Sequence, residues 1–232
     1  MIAPDGRPLI VGGFILTAAA VTAALLFKHW AVTAIAVLCA VLTGFLLYFF
    51  RDPDRAAPQE AGAVVAPADG WVVTISEAHG HPFVGENAAR LAIFLSIFDV
   101  HVNRTPSSGR VDYVDYRPGS FKAAFVATAG DTNEQTEIGL TAPSGVRLAF
   151  RQIAGLLARR VVCRLQAGQD VVAGERCGII KFGSRADVFL PHGSRIIVKK
   201  GDHVAAGRTV LAYLSTTPGA SDEAEDSRKQ DA

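Results

Sequence analysis

The sequence predicts a mainly β domain with an internal duplication, preceded by an N-terminal hydrophobic helical anchor. Two long runs without a charged residue, 9–27 and 30–50, open the chain. Beyond them, short runs of β-branched and aromatic residues alternate with Gly, Pro, Asn and Ser, which is the pattern of strands joined by turns. The motif Gly-x-x-Val-x-x-Gly then occurs at 168–174 and again at 201–207, and this repetition indicates two similar half-units.

Each apolar run is long enough to cross a bilayer, because ~1.5 Å per helical residue covers a hydrocarbon core of ~30 Å. Only Lys28-His29 separates the runs, so two spans, one span with an interfacial partner, or a re-entrant pair all remain open. A cleaved signal peptide is disfavoured because the second run follows at once. An even number of crossings places Arg7, Arg51 and Arg55 on one side, and the positive-inside tendency then predicts a cell-membrane protein whose β domain is cytoplasmic.

Composition excludes several classes of function. The net charge of the 232 residues is +1 and the basic residues are scattered, so no nucleic-acid partner is expected. The three cysteines, Cys39, Cys163 and Cys177, stand at unrelated spacings. They favour neither a disulfide framework nor a metal site, which fits a reducing compartment.

Along the chain we expect an anchor at 1–55, a Pro-containing linker at 56–63, a β-rich catalytic domain at 64–215 and a polar, disordered tail at 216–232. A brief helix is predicted at Gln152 to Arg160. The predicted strands include Trp71 to Ile75, Leu91 to Leu95, Val111 to Tyr116, and Val146 to Phe150.

The repeated motif resembles the turn of biotinyl and lipoyl carrier domains, which are small sandwiches of paired hairpins. This resemblance implies a lipoyl-like, barrel-sandwich type of β domain. A carrier domain would need an exposed lysine at a hairpin tip, commonly beside methionine, and the only methionine is Met1. A membrane-anchored adaptor of an export system would need long helical hairpins, and the sequence has no heptad run.

Three stretches offer residues for catalysis, and each also has a purely structural interpretation. Asp69 lies in a Pro-containing turn before a strand, where aspartate commonly binds local amides. His101 lies between valines, and strand alternation would place it on one face with Asp99 and Asn103. It is either a proton carrier or a hydrogen-bonded structural residue. Gly183-Ser184 interrupts two apolar runs, as a simple bulge or as a turn in which the serine hydroxyl reaches the preceding carbonyl.

These stretches belong to a series of motifs that runs along nearly the whole chain. The motifs are Tyr48-Phe49-Phe50-Arg51-Asp52-Pro53, Pro67-Ala68-Asp69-Gly70, Phe98-Asp99-Val100-His101-Val102-Asn103-Arg104, Gln152-Ile153-Ala154-Gly155 with Ala158-Arg159-Arg160, and Phe182-Gly183-Ser184-Arg185. Together they resemble the phosphatidylserine decarboxylase family in its short, membrane-anchored class. The long class has threonine where this chain has Arg185 and a second histidine where it has Arg104, so the roles of those two family residues do not transfer.

The resemblance implies a self-processing enzyme. The Ser184 hydroxyl attacks the Gly183 carbonyl, β-elimination follows, and a covalent pyruvoyl group remains on residue 184. Fragments 1–183 and 184–232 then form a heterodimer, and a Schiff base between the pyruvoyl group and phosphatidylserine allows decarboxylation to phosphatidylethanolamine. Asp69 and His101 are the expected proton carriers.

Three arginines, Arg104, Arg159 and Arg160, are the resemblance's candidates for the phosphate or carboxylate of the lipid. An anchored site meets this substrate at the bilayer surface, where its effective concentration is high.

Overall fold

The computed structural model describes residues 1–77, 80–122, 129–156, 161–181 and 183–215. The chain forms two compact units, one comprising Met1–Asp54 and the other beginning at Arg55. The expected disordered tail at 216–232 lies outside the described residues. Residues 157–160, the last part of the expected helix, also lie outside them.

The first unit is a helical hairpin made of a short 3-10 turn (Pro4–Gly6), α1 (Arg7–Phe27) and α2 (Trp30–Phe49). Lys28 takes a left-handed conformation (φ 49°) that ends α1 and reverses the chain. The two outer ends meet, since the Ala3 amide donates to the Phe50 carbonyl and the Asp52 amide donates to the Met1 carbonyl, each at 2.8 Å. Both helices are mostly exposed and, by length and hydropathy, long enough to cross a membrane.

The second unit is built almost entirely of strands, as expected from the sequence. The bounds are β1 (Ala63–Val65), β2 (Gly70–Glu77), β3 (Ala89–Leu95), β4 (Val102–Arg104), β5 (Gly109–Arg117), α3 (Ala129–Thr132), β6 (Gln135–Thr141), β7 (Arg147–Ile153), β8 (Val161–Cys163), β9 (Asp170–Val171), β10 (Arg176–Ile180), β11 (Ser184–Leu190), β12 (Arg195–Ile196), β13 (His203–Val204) and β14 (Val210–Tyr213). The helix predicted from Gln152 is wrong at its start, because Gln152 and Ile153 complete β7 and pair with β6. Long-range pairing overrides local propensity there.

Among the described residues, three antiparallel sheets contribute to the largest hydrophobic cluster. The largest has the strand order β13-β2-β3-β11-β7-β6-β5-β9, and the smaller two are β1-β14-β12 and β4-β10-β8. Core residues come from all three sheets, for example Val64 on β1, Phe150 on β7 and Cys177 on β10, all fully buried. The mainly β, barrel-sandwich expectation is confirmed.

The internal duplication is visible in the hydrogen bonds. β9 and β13 occupy equivalent places in the two repeated motifs, and they form the two edges of the large sheet. In one half the Ala206 amide donates to the Asp69 carboxylate at 2.7 Å. In the other half the Ala173 amide donates to the Ser108 hydroxyl at 2.9 Å. Asp69 and Ser108 therefore occupy corresponding positions, each just before the glycine that opens a long strand.

The outer face of the large sheet carries a buried polar cluster. The Glu137 carboxylate accepts hydrogen bonds from the Tyr113 hydroxyl (2.8 Å) and from the Arg151 guanidinium, and His81 lies 3.6 Å away. Burial raises the pKa of Glu137, but the His81 and Tyr113 hydrogen bonds and the adjacent Arg151 outweigh it and lower that pKa to about 2. The Glu137 carboxylate is therefore ionised at neutral pH, and its bonds to Tyr113 and Arg151 join β6 to β5 and β7.

Candidate active site

Gly183 and Ser184 lie at a break between two strands. β10 ends at Ile180 and β11 begins at Ser184, which confirms the interrupted strand expected from the sequence. Gly183 has a φ of 65°, a left-handed conformation that favours glycine, and its nearest neighbour on the Cβ side is the Ile97 methyl at 3.9 Å. Ser184 is fully buried, and its hydroxyl has no hydrogen-bond partner within the described part of the chain.

His101 lies directly against this break. It is fully buried, and its Nε2 accepts a hydrogen bond from the Gly183 amide at 3.4 Å. Its Nδ1 lies 2.9 Å from the Asp99 carbonyl. A backbone amide only donates and a carbonyl only accepts, so His101 is neutral with its proton on Nδ1. The basic nitrogen therefore faces the Gly183-Ser184 pair.

The segment that carries His101 differs from the expected continuous strand. β3 ends at Leu95, a turn follows, and β4 begins only at Val102, because the Asp99 carboxylate binds the Ser96 amide at 2.8 Å and closes the turn. Asp99 also contacts His203 Nε2 at 3.0 Å. His203 thus holds the residue whose carbonyl fixes the His101 proton.

Asp69 is buried, but its carboxylate binds groups other than His101. It accepts two hydrogen bonds from Arg55, one of them at 2.7 Å, and one from the Ala206 amide. Asp69 immediately precedes β2, which is separated from the Ser184 strand only by β3. Two strand spacings place it roughly 10 Å from that strand, at the same end of the sheet.

The structure describes one of the three candidate arginines, Arg104. Arg104 is buried and donates through Nη1 to the Gly174 carbonyl at 2.8 Å, at the point where the glycines of the two repeated motifs approach each other. Arg159 and Arg160 lie outside the described residues. Arg185 turns away from Ser184 to the outer face of the sheet, where its guanidinium binds Asp187 of the same strand at 2.5 and 2.8 Å.

This arrangement has the groups needed for backbone chemistry. The buried Ser184 hydroxyl lies beside the Gly183 carbonyl, and the basic Nε2 of the neutral His101 imidazole contacts the Gly183 amide. Burial strengthens the electrostatic interactions between these groups. A β scaffold that brings a buried hydroxyl and an imidazole together at the start of an inner strand is typical of an enzyme.

Comparison with known proteins agrees with this assignment. Residues 42–212 match the family described as phosphatidylserine decarboxylase. A phosphatidylserine decarboxylase proenzyme of Symbiobacterium thermophilum is 45% identical over 214 residues, covering 92% of this chain and 96% of the relative. Proteins of the same name from Chlorobium phaeobacteroides and Saccharopolyspora erythraea are each 42% identical, covering 92% and 91% of this chain and 100% and 88% of the relatives.

The chain belongs to the phosphatidylserine decarboxylase family. The resemblance drawn from the sequence motifs is thereby confirmed. The carrier-domain and export-adaptor alternatives are excluded by the same match, since it covers the repeated motifs and the Gly183-Ser184 pair together.

Proposed function

We propose that this protein cuts itself between Gly183 and Ser184 and then decarboxylates phosphatidylserine to phosphatidylethanolamine through the resulting pyruvoyl group. The observation that carries the proposal is the buried Ser184 hydroxyl, which has no hydrogen-bond partner among the described residues and follows a left-handed glycine, with His101 Nε2 facing the same pair. The family match supports the substrate, and the relatives' designation as proenzymes is in keeping with a precursor that matures.

Self-cleavage uses only groups of this chain and one water molecule. Ser184 Oγ gives its proton to His101 Nε2 and attacks the Gly183 carbonyl carbon, and the C–N bond breaks to leave an ester and a free amino group. Removal of the Ser184 α-proton then expels the Gly183 carboxylate. Water hydrolyses the dehydroalanine that remains, releases ammonia and leaves a pyruvoyl group at residue 184.

The site fits a pyruvoyl group, because loss of the Ser184 hydroxyl leaves no broken hydrogen bond in the described residues. The group would supply an electron sink for the electrons released with carbon dioxide. Residue 184 would hold the pyruvoyl group at the start of β11. His101 returns a proton to the substrate carbon. The two fragments stay joined because β11 lies between β3 and β7, both on the larger fragment.

The proposal is tested by the intact mass of the purified protein. We expect two chains, 1–183 and 184–232, with the smaller one lighter than its sequence by one ammonia and lacking an amino group for Edman sequencing. A single chain of full mass would reject self-cleavage and the pyruvoyl mechanism together.

We further propose that Asp69 assists proton transfer in self-cleavage, because its buried carboxylate lies at the same end of the sheet as Ser184, with only β3 between their strands. Asp69→Ser tests this role without the carboxylate but with a hydroxyl that can still accept from the Ala206 amide. Ser108, at the equivalent position of the other half-unit, already accepts from the Ala173 amide in this way. We expect the rate of self-cleavage, followed by electrophoresis, to fall by about 100-fold.

Ser108→Ala is the matched control for Asp69→Ser. It removes the equivalent turn acceptor and should lower stability without slowing self-cleavage. If Asp69→Ser is cut at the wild-type rate, Asp69 only holds the turn at Ala206.

We propose that the α1–α2 hairpin anchors the enzyme in the cell membrane with the β unit on the cytoplasmic side, in keeping with its exposed apolar surface. Deleting 1–54 should leave self-cleavage intact and reduce turnover of bilayer phosphatidylserine more than turnover of a short-chain soluble analogue. The deletion must stop before Arg55, which binds Asp69. Equal losses of turnover on both substrates would contradict a tethering role. A deletion of 1–55, which also removes Arg55, measures the added effect of losing the bond to Asp69.

A further inference from the structure

Two buried amides near Ser184 have unused hydrogen-bonding groups. Asn103 on β4 and Gln152 on β7 are each 1% exposed, and Gln152 Nε2 donates to Asn103 Oδ1 at 2.8 Å. Asn103 Nδ2 and Gln152 Oε1 have no partner in the described residues, and the Ser184 hydroxyl is in the same condition. A buried polar atom without a partner is uncommon in native proteins, so three in one region require an explanation.

The strand register places this amide pair, Asn103 and Gln152, beside the reactive residue. Gln152 lies opposite Ala186 in the pairing of β7 with β11, and Ser184 is two residues from Ala186. Side chains two residues apart on a strand share a face, so Gln152 and Ser184 are diagonal neighbours with backbones roughly 7–8 Å apart. Asn103 follows His101 by two residues and pairs with Gly178 on β10.

Gly178 makes room for the amide pair. A Cβ at this position would lie 3.1 Å from Gln152 Nε2 and 2.0 Å from the Val162 carbonyl oxygen. The Val162 carbonyl therefore requires glycine here, and the Gln152 amide lies against the same space. Their open groups are one N–H donor and one carbonyl acceptor, and this remains true if both amides are turned over.

We propose that the amide pair binds the amino-acid end of the phospholipid headgroup. Asn103 Nδ2 donates to the substrate carboxylate, and Gln152 Oε1 accepts from the substrate nitrogen. The inference rests on the proposed function, because the substrate nitrogen must reach residue 184. It gives the unpartnered atoms a purpose, since leaving them buried destabilises the fold until a ligand supplies partners.

Neutral amides suit a decarboxylase better than arginine does. The carboxylate loses its charge as carbon dioxide leaves, so a cation bound to it would stabilise the substrate more than the transition state. An amide N–H orients the carboxylate with a weaker, uncharged donor. Arg104, which follows Asn103 in the sequence, already donates to the Gly174 carbonyl.

The test compares two lipids that differ by the carboxylate alone. For Asn103→Leu we expect the ratio of the KM for phosphatidylserine to the inhibition constant of phosphatidylethanolamine to rise about 10-fold, because only the first lipid loses a hydrogen bond. Asn103→Leu combined with Gln152→Leu removes both amides and avoids stranding either one, so it covers the case in which the single variant folds poorly. The same rise in the ratio is expected for it.

Gln135→Leu is the matched control. Gln135 is another buried amide whose oxygen has no partner in the described part of the chain, but it pairs with Ile153, whose side chain lies on the opposite face of the sheet from Gln152. This variant should leave the ratio unchanged. A ratio that stays at the wild-type value in both Asn103 variants overturns the inference. Failure of the proposed function would be seen separately, as a wild-type chain that is neither cut nor active.

Discussion

Ser184→Ala is expected to give a single uncut chain without decarboxylase activity. Alanine removes the only atom of residue 184 that can attack the Gly183 carbonyl, and it leaves the strand intact because the hydroxyl has no partner to lose among the described residues. The thermal midpoint should therefore match or exceed that of the wild type, while activity is abolished. Denaturing electrophoresis, intact mass and release of carbon dioxide measure the three consequences on one preparation.

Ser194→Ala is the matched control on the same fragment. The Ser194 hydroxyl donates to the Pro191 carbonyl at 2.8 Å, so this variant loses a hydrogen bond that Ser184→Ala does not. It should nevertheless be cut and active. Cleavage of Ser184→Ala at the 183/184 bond would show that another group supplies the nucleophile.

The sequence predicted features that depend on local pattern. The apolar helices, the main strands, the two repeated motifs and the Gly183-Ser184 interruption follow from periodicity and from glycine placement. His101 became a candidate in the same way, as a histidine after an apolar strand, although its segment is a turn rather than a continued strand.

Contacts between distant segments could not be predicted. The Arg55 bond to Asp69 joins residues on either side of the expected linker, and the His203 contact with Asp99 spans 104 positions. The amide pair meets across 49 positions, and no local signal distinguishes it from any buried Asn or Gln. The duplication offered one usable signal for these contacts. Ala206 and Ala173 are equivalent in the repeated motif, so their hydrogen-bond partners, Asp69 and Ser108, could have been predicted to be equivalent as well.

His101→Ala is expected to lower the rate of decarboxylation by 100-fold or more, in the range typical for loss of a general acid or base. The imidazole is fully buried, its Nδ1 proton is committed to the Asp99 carbonyl, and its Nε2 is the basic atom beside residue 184. Self-cleavage should slow as well, because the same nitrogen accepts the serine proton in the proposed scheme.

The effects of His101→Ala on self-cleavage and on decarboxylation can be measured separately. Prolonged incubation allows the variant to mature, and turnover is then measured per cut chain, so a loss that remains belongs to decarboxylation alone. His192→Ala is the control, since His192 is an exposed histidine on the small fragment and should be cut and active like the wild type. A His101→Ala protein that matures at the normal rate and turns over phosphatidylserine normally would remove His101 from the mechanism, and proton transfer would then have to involve a group that reaches residue 184 from another side.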